Sequence, residues 1–444
     1  MTGITRAIVR RALAVRHDDL PPDVVELARQ CVLDTLGVAL AGADDPLVLM
    51  LCAELEEQGG TPAAAVIGSQ RRLPALSAAL LNGTMAHALD YDDVNLAMPG
   101  HPSVAVLPAV LALAQERDAG GAALIAAFVA GYETACRVGL LLAPGHYDGL
   151  GFHATGTIGA FGAAAGCAHL LGLDEERTLH AMGIAATQAA GLKSMFGTMC
   201  KPLHAGRAAQ AGLLAARLAA RGFVSRPDSL ECAQGFAATH GPDFHPDAAL
   251  ADPEGGFHIR ANLFKYHAAC YLTHAGIEAA HTLRRRHALR ADDIAAVVLR
   301  VDRTTERVCN IQSPTTGLET KFSLRHTAAM ALAGHDTASL DSYSAAGAAD
   351  PEVMALRDRI NVDFQPGWSS TRAELDIRLR DQTSFHATHD TGIPAGDVTA
   401  QGLRLRAKFA SLTAPLLGEA RAAELAGSVA GLDRLGSMRG FAVG

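Results

Sequence analysis

Four segments set titratable side chains inside apolar or glycine-rich sequence, where a charge is costly unless it has a partner or a task. The first runs from Asn82 to Asn95 and carries His87, Asp90, Asp92 and Asp93; a Gly100-His101-Pro102-Ser103 loop follows it. Imidazoles beside carboxylates are the usual means of general acid and base catalysis. By spacing, His87 and Asp90 share one helical face, an arrangement that can also hold a metal, and Ser103 is placed to cap the next helix. The second segment, Gly149 to Gly162, presents His153 and Thr155 at a helix start favourable to anions. Its glycines follow G-x-x-G-x-x-G with no strand before them, so it is neither a dinucleotide fingerprint nor a P-loop. The third sets Lys201, His204 and Arg207 at the start of another helix, a plausible receptor for carboxylates. The fourth, Asn262 to His274, embeds Lys265, Tyr266 and His267 ahead of Cys270 and His274, and Cys270 is a nucleophile by type.

Lysine usage sharpens this pattern. Only five of the 38 Lys and Arg residues are lysine: Lys193, Lys201, Lys265, Lys321 and Lys408. Where arginine serves as the general surface cation, a retained lysine marks a need for a compact ammonium. Lys201 and Lys265 fall in the segments above, and Lys321 heads another unusual run, Lys321-Phe-Ser-Leu-Arg-His326. The residues point to a site for a small, multiply charged anion, with no nucleotide cradle.

The elements that must position these groups are mostly helical. Pro21-Pro22 opens an amphipathic run that ends near Gly42, and further helical patterns cover about 72–90, 103–117, 119–141, 155–172, 174–190 and 204–221. Several are rich in Ala and Gly on every face and predict close helix packing with complete burial. Past residue 260 the texture changes. Residues 294–302 and 373–380 read as strands with 384–389 pairing beside them, and antiparallel pairing is expected, among helices at 271–286, 318–333 and 351–357. Helical patterns return from about 396. The expected fold is mostly α: a large all-helical domain over 1–264, completed by 396–444, and a smaller α+β domain over 265–395.

Composition excludes several classes. The 444 residues are 49% hydrophobic and 19% charged, enough for a large core and unlike a disordered chain. A net charge of −8 and the absence of a basic run longer than Arg284-Arg285-Arg286 argue against nucleic acid. Eight cysteines without a C-x-x-C pair fit a reducing cytoplasm better than a disulfide or zinc scaffold. The N-terminus lacks a secretory h-region. The greasiest stretch, 122–144, is interrupted by Glu133 and Arg137, so a buried helix is expected there and no membrane span.

These residues resemble the MmgE/PrpD family, which includes 2-methylcitrate dehydratase, cis-aconitate decarboxylase and iminodisuccinate epimerase. The matching pieces are Leu33-Asp-Thr-Leu-Gly37, Asn82-Gly through Asp93, His101-Pro-Ser103, Gly151-Phe-His153, Lys201-Pro-Leu-His204, Lys265 with Cys270 and His274, and Lys321-Phe-Ser-Leu324. The resemblance implies a homodimer with a cofactor-independent, metal-free site between two domains. It places the catalytic residues at Asp90, His101, His153, Lys201 and Lys265; His204, Arg207, Tyr266 and Cys270 complete the expected substrate-binding set. Two departures stand out. Val94-Asn95 follows the acid cluster where the dehydratases and the decarboxylase carry threonine, and Cys270 stands where the animal decarboxylase has histidine. The expected activity is a lyase of the 2-methylcitrate dehydratase type on a small di- or tricarboxylate. Epimerisation of an imino- or amino-dicarboxylate and cis-aconitate-type decarboxylation are the alternatives.

Overall fold

A computed structural model describes residues 3–441. The chain gathers into two compact units, one formed by the residues up to 264 together with those from 395 on, the other by 265–394.

In the first unit the helices are α1 (Ile4–Leu13), α2 (Pro22–Ala41), α3 (Pro46–Gln58), α4 (Ala75–His87), α5 (Pro102–Arg117), α6 (Gly121–Leu142), α7 (Ala154–Leu170), α8 (Glu175–Ala186) and α9 (Cys200–Ala220). Short helices α10 (Phe236–His240) and α11 (Pro246–Leu250) follow, and a two-residue hairpin, β1 (Ala64–Ala65) with β2 (Arg72–Leu73), precedes α4. Proline at the first turn starts α2, α3 and α5, where its missing N–H costs nothing. Helix α7 is buried from Ala154 to Ala168. Its small residues let backbones nearly touch: a Cβ on Gly162 would lie 2.8 Å from the Gly131 carbonyl oxygen of α6. The same device brings α9 onto α4, since a Cβ on Gly206 would collide with the Leu80 carbonyl oxygen. Among the described residues α6 is the one helix that is by itself long and apolar enough to cross a membrane, and its apolar window is 94% buried.

The second unit contains α12 (Tyr271–His287), α13 (Gly317–Thr320), α14 (Leu324–Ala333), α15 (Ala345–Ala348) and α16 (Pro351–Arg357). Its sheet has the order β4-β3-β5-β6, with β3 (Ile294–Asp302), β4 (Ile360–Gln365), β5 (Arg372–Leu379) and β6 (Ser384–Asp390). The sheet is mixed, not antiparallel throughout. β4 runs parallel to β3, because helices α13 to α16 carry the chain back before β4 begins, the long crossover that parallel pairing requires. The helix expected over 318–333 is two helices. Ser323 accepts from the His326 N–H and caps α14, which ends α13 at Thr320 and leaves Lys321 between them. The tail returns to the first unit as α17 (Val398–Leu417) and α18 (Glu419–Ala430).

Candidate active site

In the first unit, four helix ends and one loop converge. Helix α4 stops at His87, and Asp90 turns the chain with φ of 51°, a left-handed conformation costly for a residue with a side chain. The loop is fastened at its far end. Val94 and Leu263 exchange two 2.8 Å backbone hydrogen bonds. The buried Asn95 amide donates to the Tyr132 hydroxyl and the His258 carbonyl, both at 3.0 Å. Val94-Asn95 therefore anchors the loop. His101 then sits at the start of α5, His153 at the start of α7 and Lys201 in the first turn of α9.

Lys201 Nζ lies 2.7 Å from Asp90 Oδ1, and His101 Nε2 lies 3.7 Å from the same oxygen. Asp92, fully buried, has Oδ2 at 2.8 Å from His101 Nδ1, in ion-pair range though off the line of a well-aligned hydrogen bond. His87 Nδ1 lies 3.0 Å from both Asp92 oxygens. The His87 ring packs 4.6 Å from that of His101 and stacks 5.8 Å from that of His153. His153 Nδ1 meets His204 Nδ1 at 3.0 Å, so one of these nitrogens donates and the other must be unprotonated. Phe196 stands edge-on to His153 and 5.4 Å from the Lys201 ammonium.

The electrostatics follow from burial. Burial pushes His87 down to about 4, and Lys201 and His101 lower it further against the pull of Asp92. His153 is held well below the ordinary histidine value by burial, then by the neighbouring His87 and Lys201. His204 is lowered by burial and by Lys201. Burial alone would raise the Asp92 carboxyl, but the charges of His101 and His87 beside it, with the His87 hydrogen bond, outweigh it and hold the group well below the usual range. Asp93 goes the other way, up to about 7, through burial and the nearby Asp34. The cluster thus holds one ammonium, ionised carboxylates and unprotonated imidazoles side by side, the components of proton transfer next to a bound anion.

The second unit holds Lys265, Tyr266, Cys270 and His274. Lys265 is 1% exposed. His274 is held well below its ordinary value by burial, then by His267 and Lys265. His267 Nδ1 bonds Thr337 Oγ1 at 2.8 Å, and its Nε2 bonds Glu278 at 3.2 Å. Cys270 starts α12, donates its N–H to the Lys321 carbonyl at 2.9 Å, and shares a side-chain hydrogen bond with Cys309.

The structure therefore groups Asp90, His101, His153, Lys201 and His204, and it adds His87 and Asp92, which sequence reasoning left outside the site. The Asp-x-Asp spacing was the available signal for Asp92. Arg207 is not brought to this group: it is exposed on α9 and its guanidinium holds Gln210 at 2.5 Å. Ser103 does not cap α5; its hydroxyl donates to Asp93 at 2.5 Å, because Pro102 occupies the first helical position and His101 the cap. His87 and Asp90 do not share a helical face, since α4 has ended before Asp90. One ligand atom from each of His87, Asp90, Asp92 and His101 lies within 4.8 Å of the others, room enough for a cation. The Lys201 ammonium already supplies a positive charge to Asp90 there. A cavity of about 240 Å³ in the same unit lies elsewhere, lined by Arg11, Arg16, Glu133, Arg137 and Phe257 among others.

Comparison with known proteins gives a consistent picture. Residues 6–249 match the MmgE/PrpD N-terminal domain and residues 267–434 the MmgE/PrpD C-terminal domain. The chain is 32% identical over 302 residues to a cis-aconitate decarboxylase of Aspergillus terreus strain NIH 2624 / FGSC A1156, an alignment that spans 64% of this chain and 61% of that protein. A second Aspergillus terreus cis-aconitate decarboxylase is 28% identical over 98% of this chain and 94% of its own length. The human cis-aconitate decarboxylase is 27% identical over 88% of this chain and 84% of its own.

Proposed function

This chain belongs to the MmgE/PrpD family of enzymes, and from that premise we propose that it is a lyase acting on a small tricarboxylate of the cis-aconitate and citrate class. The observation that carries the reading is the Asp90–Lys201–His101 constellation, a cation and two acid–base groups within 3.7 Å, beside the unprotonated His153–His204 pair. Lys201 receives a substrate carboxylate, which competes with Asp90 for the ammonium. Similarity along nearly the whole chain to a cis-aconitate decarboxylase puts decarboxylation first. In that reaction the C–C bond to one carboxylate breaks and carbon dioxide leaves. The electron pair stays on the carbon skeleton, stabilised by the Lys201 ammonium, until His101 delivers a proton to carbon.

A second reading is dehydration of the 2-methylcitrate type, favoured by Cys270, the position where the family resemblance implies a departure from the animal decarboxylase. There His153 takes the proton next to a carboxylate, the C–O bond breaks, and His101 protonates the departing hydroxyl. Return of the proton from the opposite face would instead epimerise the substrate. The homodimer implied by the family resemblance belongs to the same proposal and is checked by sedimentation.

Proton NMR in deuterium oxide with cis-aconitate, citrate, 2-methylcitrate and both iminodisuccinate stereoisomers tests the readings. New vinylic signals with release of carbon dioxide support decarboxylation, and vinylic signals without it support dehydration. Deuterium uptake without elimination moves the assignment to an epimerase. A panel left unchanged, with every substrate intact, refutes the substrate class.

A further inference from the structure

Lys408, like Lys193 and Lys321, is a scarce lysine that lies outside the four segments. It lies on α17, and both it and its partner are buried, with side-chain exposures of 4% for Lys408 and 1% for Asp34. The ammonium donates to Asp34 Oδ1 at 2.6 Å and to the Tyr91 carbonyl at 2.7 Å, and it sits 3.9 Å from the centre of the Tyr91 ring. Tyr91 is itself fully buried. Its carbonyl lies between Asp90, which binds Lys201, and Asp92, which faces His101 and His87.

We propose that Lys408 is a positioning residue for the candidate active site, clamping the Tyr91 carbonyl so that Asp90 and Asp92 are presented in the geometry their partners require. The proposal rests on the functional reading above. Three observations support it. The Asp90 backbone adopts the left-handed conformation at φ 51°, which persists only where its surroundings enforce it. A compact ammonium is the group that can bond a carboxylate, a carbonyl and a ring face together, whereas a planar guanidinium reads a fork. Finally, α17 is fixed independently of this pair, so the clamp has a rigid base: Gln30 donates to the Val398 carbonyl at 2.8 Å, and Gln401 donates to Gln30 at 2.9 Å.

The test removes the clamp without leaving a lone buried charge. In the Asp34→Asn/Lys408→Met variant both charges go together, an exchange that buried pairs often tolerate. The expected result is a melting temperature near that of the native protein, KM within threefold, and kcat reduced by about 100-fold, the cost of a misplacement of about 1 Å. A second readout needs no substrate: the titration of His101, followed by NMR in protein carrying 13C-labelled histidine and assigned with His101→Gln, shifts in the double variant. If the native protein turns over nothing in the panel, the functional reading falls, but the His101 titration still judges the clamp. A titration identical to the native one overturns the proposal, as does an unchanged kcat. A double variant that fails to fold also overturns it, because the pair then serves the core alone.

Discussion

Lys201 and Lys408 each place an ammonium within 2.7 Å of an aspartate, and the two pairs differ in almost everything else. Asp90 keeps 32% of its side chain open to solvent and Lys201 13%, while Asp34 and Lys408 keep 1% and 4%. An accessible pair can exchange its carboxylate for that of an incoming anion at small cost, because water screens the intermediate state. A sealed pair cannot, since breaking it leaves a charge with neither water nor partner. The same chemistry is therefore open to a ligand in one place and a permanent fixture in the other, and burial makes the difference.

The largest effect should come from breaking the sealed pair on one side. Lys408→Met leaves Asp34 buried beside Asp93, and unfolding in urea should show a loss of about 3–5 kcal/mol. A loss below about 1 kcal/mol would mean that the pair is not sealed. Lys201→Met should reverse the pattern. Stability should change by less than about 1 kcal/mol, as for other partly exposed pairs. Turnover should fall by roughly 100- to 1,000-fold, the range for removing one preorganised electrostatic group. Activity within tenfold of native would remove Lys201 from the chemistry.

The contrast also shows what a sequence makes legible. The long helices were readable because Pro starts and apolar spacing are local signals, and the residues now grouped at Asp90, His101, His153 and Lys201 were readable because each sits at or just past a helix end. The Lys408–Asp34 pair was not, because its partners are 374 residues apart and nothing local to either position encodes the other. β4 escaped notice because its six residues put only Ile360 and Val362 into the core, too short an alternation to stand out. Helix α3 did have local signals, Asp45 capping and Pro46 in the first turn, but its flat apolar distribution hid the period.

A third, smaller effect separates His87 from its neighbours. Its folded value of about 4 lies below the ordinary 6.5, so the unfolded chain takes up a proton that the folded one refuses. The stability this group supports is intact above 6.5 and is lost as pH falls toward 4. Between pH 7 and pH 5 the loss is about 2 kcal/mol from this group alone. Asp93, raised to about 7, acts with the opposite sign over the same range, so the native protein's total change is not diagnostic. The diagnostic quantity is the difference between native and His87→Asn: the variant should lose about 2 kcal/mol less on going from pH 7 to pH 5. Equal losses in the two proteins would mean that His87 keeps its ordinary value of about 6.5 in the fold and is protonated by pH 5, which would change the charge seen by His153 there.

The smallest expected effect concerns Arg207, which shares α9 with Lys201 and His204 but turns outward to Gln210. If helix phase decides which cations meet the substrate, six residues along α9 carry this guanidinium away from the face that holds Lys201. Arg207→Ala should then change KM by less than about threefold, under 0.7 kcal/mol, with kcat untouched. A tenfold rise in KM would show that the substrate reaches further along α9 than the Asp90–Lys201 pair suggests. The accessible half of the comparison would then have to include a second cation, and the site would suit a longer or more highly charged anion.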